Sequence, residues 1–217
     1  MDKKLKVYLV RHGETYLNRY KKMQGWADSP LTEEGKVIAI ETGKRLADVR
    51  FDHVYTSDSG RTVETAELIL QQNSHSNHLK INRRKDFREM FFGGFEGEYS
   101  EVVWKKIAQD NGVTNFVDLH IKYSIEDFMN LMKKSDSYHH AENFQELWER
   151  IERGLNEVVA KSQGNNQNIL LVTHGVVIRN ILSKFSDEFS NEMEIKNSSV
   201  SELEFSGNAF KVISFNQ

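Results

Sequence analysis

Two segments of this chain, VYLVRHGE near the start and ILLVTHGV around residue 170, share one form: a short apolar β-rich run, one polar residue, then His-Gly. An apolar run of about four to eight residues reads as a strand buried on both faces, and such strands belong to parallel sheets covered by helices. In an open parallel sheet, ligands bind beyond the carboxyl ends of the strands. If both strands are central, His12 and His174, about 160 residues apart along the chain, meet at that rim. Gly13 and Gly175 then let the backbone turn sharply and let a ligand approach closely.

The remaining pattern agrees with an α/β chain. Mixed helical spacing of apolar residues predicts helices over 32–49, behind a Thr32 cap, and over 61–71, 143–162 and 176–185. Short apolar runs predict strands at 5–10, 52–56, 79–82 and 168–173. Two alternating strands near 199–205 and 209–215, joined at Ser206-Gly207-Asn208, read as a closing hairpin. Strands alternating with helices imply a doubly wound, mostly parallel central sheet flanked by helices, with an antiparallel end. Between Phe87 and Asn143 the periodicity is irregular and rich in aromatics, so about 95–141 is read as a mainly helical insertion over the active site of a single domain spanning 1–217. The aromatics from Phe91 to Trp104 are expected chiefly in the core of that insertion.

Composition narrows the chemistry. With 217 residues a conventional core is available, and with no cysteine there is no disulfide framework, no thiolate zinc site and no Cys nucleophile. The 29 Lys and Arg against 32 Asp and Glu give a net charge of −3 with His neutral, which argues against nucleic acid or an anionic membrane surface as a partner. An anion site must therefore be built locally. No window approaches the ~18 apolar residues of a membrane span. The apolar stretch before Arg11 is too short for a signal-peptide core, so a soluble, cytoplasmic protein is expected. His75 with His78 and His139 with His140 lie in polar segments without a carboxylate at metal spacing, and no metal site is expected there.

Arg11 precedes the first His-Gly, and Arg61 opens the helix that follows the second strand. Two guanidinium forks, two imidazoles and a helix N-terminus converging on one crevice describe a phosphate site.

In order along the chain stand Arg11-His12-Gly13-Glu14-Thr15 with Asn18, Gln24-Gly25, Asp28-Ser29-Pro30-Leu31-Thr32 with Gly35, and Ser57-Asp58 with Arg61 and Thr65-Ala66. Arg88-Glu89 then precedes Gly94-Phe95-Glu96-Gly97, and Thr173-His174-Gly175 completes the series. From about residue 5 to 180, this ordered set resembles the histidine phosphatase superfamily, in the branch of cofactor-dependent phosphoglycerate mutases and related phosphatases. The resemblance implies His12 as nucleophile forming a phosphohistidine, with Arg11, Arg61 and His174 around the phosphoryl oxygens and Glu89 as proton donor to the leaving oxygen. A raised Glu89 pKa, from desolvation by Met90, Phe91 and Phe92, and a protonated His174 would suit those roles. It implies phosphate-site contacts from Asn18, Gln24, Gly25, Ser57 and Gly175. Ser57 reads equally as phosphate ligand or helix cap, and Glu14 as a structural residue. The implied partner is a small phosphorylated metabolite, the protein being a monomer or homodimer.

The chain departs from the mutase branch at several places. That branch usually carries Tyr three positions after the acid and Asn directly after the second His-Gly, where this chain has Phe92 and Val176. It also carries paired arginines and a proline-rich stretch in the insertion, whereas residues 97–142 here contain neither Arg nor Pro. The expected activity is therefore that of a metal-independent phosphomonoester phosphatase without a cofactor. The alternatives are a phosphoglycerate mutase, which would need 2,3-bisphosphoglycerate as primer, and a phospholigand-binding protein that has lost turnover.

Overall fold

In a computed structural model, which describes residues 3–189 and 193–217, the chain runs through β1 (Leu5–Arg11), α1 (Tyr16–Arg19), α2 (Glu33–Arg45), β2 (His53–Thr56), α3 (Gly60–Gln71) and β3 (Ile81–Arg83). Two 3-10 turns, Lys85–Phe87 and Gly93–Phe95, lead into α4 (Ser100–Asp110), α5 (Phe116–Lys122) and α6 (Ile125–Ser135). Then follow α7 (Phe144–Lys161), β4 (Gln167–Thr173), α8 (Gly175–Phe185), β5 (Val200–Ser206) and β6 (Ala209–Ser214). The α/β fold expected from the sequence is the fold observed.

The six strands form one sheet in the order β3-β2-β4-β1-β5-β6. β1 to β4 are parallel, β5 pairs antiparallel with β1, and β6 with β5. Alternate side chains of the central strands feed two cores, as the period of two requires. Leu5, Val7, Leu9, Ile169 and Leu171 join α7, α8 and the insertion on one face. Tyr8, Val10, Leu170 and Val172 meet Ala66, Ile69 and Leu70 of α3 on the other. Complete burial of each such side chain favours folding by ~1.5–3 kcal/mol, which locks the register of β1 against β4. That register sets Arg11 opposite Thr173, so His12 and His174 leave the sheet side by side.

Several boundaries differ from the expected ones. α2 starts as anticipated, with the Thr32 hydroxyl accepting from Gly35 N at 3.0 Å, but ends at Arg45, before a turn through Ala47. The edge strand is Ile81–Arg83, shifted from 79–82. α1 had no periodic signature because it is only four residues long; a capping box between Thr15 and Asn18 defines it. The insertion resolves into three helices whose Trp104, Phe116 and Phe128 rings pack at centroid distances of 4.9–5.9 Å. The closing turn at Gly207-Asn208 has φ of +56° and +62°, the left-handed pair that a two-residue hairpin requires.

Candidate active site

The rings of His12 and His174 lie 5.2 Å apart at the carboxyl rim of β1 and β4. His12 Nδ1 is 2.7 Å from the Gly13 carbonyl, which can only accept, so Nδ1 carries the proton and Nε2 presents its lone pair. Arg61 Nε points at that lone pair from 3.3 Å. Burial, Arg61 and Arg11 push His12 well below the ordinary imidazole value, keeping the ring neutral.

Arg61, first-turn residue of α3, is almost wholly buried, and all five of its N–H donors are used. NH1 donates to Ala27 O and Asp28 Oδ1 at 2.9 and 2.8 Å, and NH2 to Gly25 O and His174 Nδ1 at 2.7 and 3.0 Å. With Nδ1 accepting, His174 Nε2–H donates to Ser57 Oγ at 2.8 Å. Burial and the Arg61 charge push His174 well below the ordinary value, with Arg150 adding to the effect. Without a phosphoryl group the ring is thus held neutral, and the protonated His174 that would suit its role requires the added negative charge of that group beside it.

Arg11 donates through NH1 to the Ile195 carbonyl, while its Nε is a buried donor with no protein partner. Gly175 packs over it: a Cβ there would lie 3.4 Å from that nitrogen. Glu89 is buried, its carboxylate oxygens accepting from Met90 N at 3.0 Å and from Val176 N, in the first turn of α8, at 3.1 Å. Burial raises its pKa, against those two amides and the charges of Arg61 and Arg11.

Arg11, Glu89 and Gly175 open onto a cavity of about 370 Å³ whose far walls are Trp104, Phe116, Ile125, Phe128 and Met129 of the insertion. Helices α4 to α6 thus wall the cavity, and Phe92 and Trp104 serve both as core and as cavity wall. Neither histidine lines this cavity itself, which reaches the centre through Arg11, Glu89 and Gly175; a larger open groove beside β3, lined by Tyr55, Lys80, Arg83 and Lys161, contains none of these three. Among the described residues no group of three or more His, Asp or Glu side chains is placed to hold a metal ion.

The other site candidates act mostly on the loops. Ser57 contacts His174 and accepts from Ser59 N at 3.3 Å, so it orients the imidazole and caps the turn together. Asn18 Oδ1 accepts from Thr15 N, and Gln24 Oε1 accepts from Thr15 Oγ1 at 2.6 Å, which ties the loop after His12 together. Gly25 gives its carbonyl to Arg61, and a Cβ there would lie 2.1 Å from Met90 O. Glu14 accepts from Thr32 and Arg19, and the Thr32 hydroxyl foremost lowers its pKa.

Two carboxylates that organise the centre carried no assigned role in the sequence. Asp28 pairs with Arg61 and accepts from Gly60 N at 2.6 Å. Glu96 gathers the amides of Gly25, Trp26, Ala27 and Phe92. Each lies in a loop of invisible period; an acidic residue amid turn formers was the available signal.

A doubly wound sheet with two histidines and two arginines at its rim defines a phosphoryl-handling protein, and the sequence profile of the histidine phosphatase superfamily (branch 1) matches residues 7–217. The chain belongs to that superfamily, which acts on small phosphorylated substrates. The solved phosphoglycerate mutase from Bacillus anthracis str. Sterne is 33% identical, superposes with a TM-score of 0.94, and is matched over 100% of this chain and 94% of its own. Bacillus stearothermophilus YhfR is 30% identical at a TM-score of 0.76, over 97% and 96% of the two chains. The Bacillus subtilis (strain 168) protein named uncharacterized phosphatase PhoE is 30% identical over 97% of this chain and 93% of its own length. No helix among the described residues is long and apolar enough to cross a membrane.

Proposed function

We propose that the protein is a metal-independent phosphomonoesterase that works through a phosphohistidine at His12, on esters whose alcohol carries an apolar alkyl or aryl group. In the first step the His12 Nε2 lone pair forms a bond to phosphorus as the bond to the ester oxygen breaks, and Glu89 gives its proton to that oxygen. Arg11 Nε, which has no protein acceptor, can hold a phosphoryl oxygen directly; Arg61 Nε is released to another as His12 Nε2 commits its lone pair to phosphorus, and Arg61 NH2 and His174 Nδ1–H as His174 takes up a proton. In the second step ionised Glu89 takes a proton from water as the water oxygen bonds to phosphorus and the bond from phosphorus to His12 Nε2 breaks, its electron pair returning to the ring, which releases phosphate and restores both side chains.

The observation that carries the choice of phosphatase over mutase is the cavity. Among the described residues its wall from the insertion is aromatic and aliphatic, relieved by Ser100 and Ser124, and contributes no cation. A mutase must retain a phosphorylated carboxylate and let it reorient, which calls for cations around the acid group. Among the described residues the cations lining the cavity are Arg11 and Arg179, and Glu194 lines it as well. The relatives carry names of both activities, so the choice rests on this wall.

The test is phosphate release from a series of n-alkyl phosphates, p-nitrophenyl phosphate, glycerol phosphate and 3-phosphoglycerate, with EDTA present. Burying one methylene favours binding by ~0.8 kcal/mol, so kcat/KM should climb about fourfold per added carbon until the cavity is filled. Interconversion of 2- and 3-phosphoglycerate after priming with the bisphosphate, at a rate above hydrolysis, would overturn the proposal, and loss of activity in EDTA would overturn its metal-free part.

A further inference from the structure

Arg150 lies on α7 among Leu147, Ile151 and Gly154, within the helix's buried stripe, and is itself 8% exposed. All five of its N–H donors are engaged. Nε and NH2 form a fork with Glu142 Oε1 and Oε2, both at 2.7 Å. NH1 donates to the carbonyls of Asp86 and Arg88 at 3.0 and 2.6 Å, and NH2 also to the carbonyl of Glu89 at 2.8 Å. Glu142 holds the far side of the same segment: its Oε2 accepts from Phe91 N at 2.8 Å, and its own N donates to Phe91 O at 2.9 Å.

Other side chains complete the grip. Thr173 Oγ1, next to His174, donates to Phe87 O at 2.8 Å, and Trp26 Nε1 donates to Glu89 O at 3.0 Å. Four consecutive carbonyls, from 86 to 89, therefore accept from side chains rather than from a helix or a sheet. A short 3-10 turn and the extended residues after it are thus held by side chains, and Glu89 is among them.

We infer that Arg150 and Glu142 are positioning residues that aim the Glu89 carboxyl at the ester oxygen and keep it desolvated. The inference rests on the reading of Glu89 as proton donor. A general acid in a buried site meets two opposed demands: it must be fixed to within a fraction of an ångström, yet an unpaired cation close by would hold it ionised. Arg150 meets both, because its charge is neutralised by Glu142 while its remaining donors grip the backbone carbonyls of the acid's own segment. A lysine offers three donors from one point and lacks the planar fork that spans Glu142 and three carbonyls. Glu142 closes the insertion just before α7, so the pair also ties the cavity wall to the acid.

The experiment compares Arg150→Lys, Glu142→Gln and Glu89→Gln in the full-length protein, after circular dichroism has established which variants fold, on octyl phosphate and p-nitrophenyl phosphate. Nitrophenolate leaves with little need of a proton, so loss of acid aim should lower kcat on octyl phosphate about a hundredfold and on the aryl ester only a few-fold. Glu142→Gln leaves a buried cation unpaired near the acid, so its alkaline kcat limb on octyl phosphate should move to lower pH. If Arg150→Lys fails to fold, Glu142→Gln decides alone. Equal losses on both esters with an unmoved pH limb, while Glu89→Gln does discriminate between the esters, overturn the positioning role and leave the catalytic reading standing. If Glu89→Gln itself does not discriminate, the assignment of the acid fails and the inference falls with it.

Discussion

Replacing Arg61 by lysine keeps the charge and removes the fork, which makes it the sharpest probe of how the centre is held. Arg61 spans two carbonyls, one carboxylate and two imidazoles from a single buried guanidinium. A lysine ammonium at the same place can satisfy Asp28 and at most two other acceptors, so two or more of the five lose their partner. Each buried acceptor left unpaired costs ~1–3 kcal/mol, giving a loss of about 2–6 kcal/mol. Against a total stability of ~5–15 kcal/mol that is a large fraction, and at ~2–4 °C per kcal/mol for a chain of this size Tm should fall by about 5–20 °C. Activity should fall further than stability explains, since one aimed donor at a developing charge is worth ~10²–10³ in kcat. Differential scanning fluorimetry with and without orthovanadate separates the two effects: vanadate should raise Tm in the parent protein and much less in the variant. A Tm within 2 °C of the parent, or an undiminished vanadate shift, would refute the view that Arg61 both builds the loop around residues 25–28 and binds the phosphoryl group.

Three further outcomes are expected. His12→Ala should abolish an acid-labile phosphoenzyme trapped from a labelled ester, and label persisting in that variant would move the nucleophile elsewhere. The pH dependence follows from opposed shifts: depressed His12 remains a neutral nucleophile below its ordinary value near 6.5, whereas Glu89, raised by burial, keeps its proton above the ordinary carboxylate range and loses it as pH rises through the folded value. An alkyl phosphate should therefore show a descending alkaline limb that p-nitrophenyl phosphate lacks, and identical limbs would assign the loss to another group. Asp136 accepts from the amides of Gly94, Tyr138, His140 and Ala141, which together outweigh the opposing effect of burial and lower its pKa. Its contribution is present above the unfolded carboxyl value and lost as pH falls through the folded one, so Asp136→Asn should cost ~1–3 kcal/mol at neutral pH and progressively less below about pH 4, read as ΔTm against pH.

What could be read in the sequence is what local pattern determines. The paired apolar runs ending in His-Gly located β1, β4 and both imidazoles, because a strand buried on both faces leaves a near-continuous signature. The place of Arg61 at the head of α3 was equally legible. The insertion was not resolved into helices, because α4, α5 and α6 run for 11, 7 and 11 residues and share one aromatic cluster rather than each presenting a long stripe. The residues that brace the site, Asp28, Glu96 and Glu142, act on backbone amides or on guanidiniums distant in sequence, and no spacing rule encodes such partners. Arg150 did leave a trace: a charge on the buried stripe of an otherwise amphipathic helix demands a partner.

The braces also explain how a chain of net charge −3 can attract a phosphoryl dianion at this rim. Arg61 is neutralised by Asp28 and Arg150 by Glu142, so those guanidiniums contribute directed N–H groups more than field. Arg11 is anchored through a carbonyl and keeps one buried N–H without a partner. Protonation of Glu89 removes the nearest opposing charge, and the same burial that raises Glu89 lowers both histidines. Desolvation, with the charges of Arg61 and Arg11 acting on the histidines, therefore sets a neutral nucleophile and an acid of raised pKa beside an arginine whose Nε has no protein partner. An incoming dianion meets Arg11 and Arg179 in the cavity lining and favours a proton on His174. The site returns to its starting charge when water has given Glu89 back its proton, the bond from phosphorus to His12 Nε2 has broken, and phosphate has left so that His174 gives up the proton the dianion favoured.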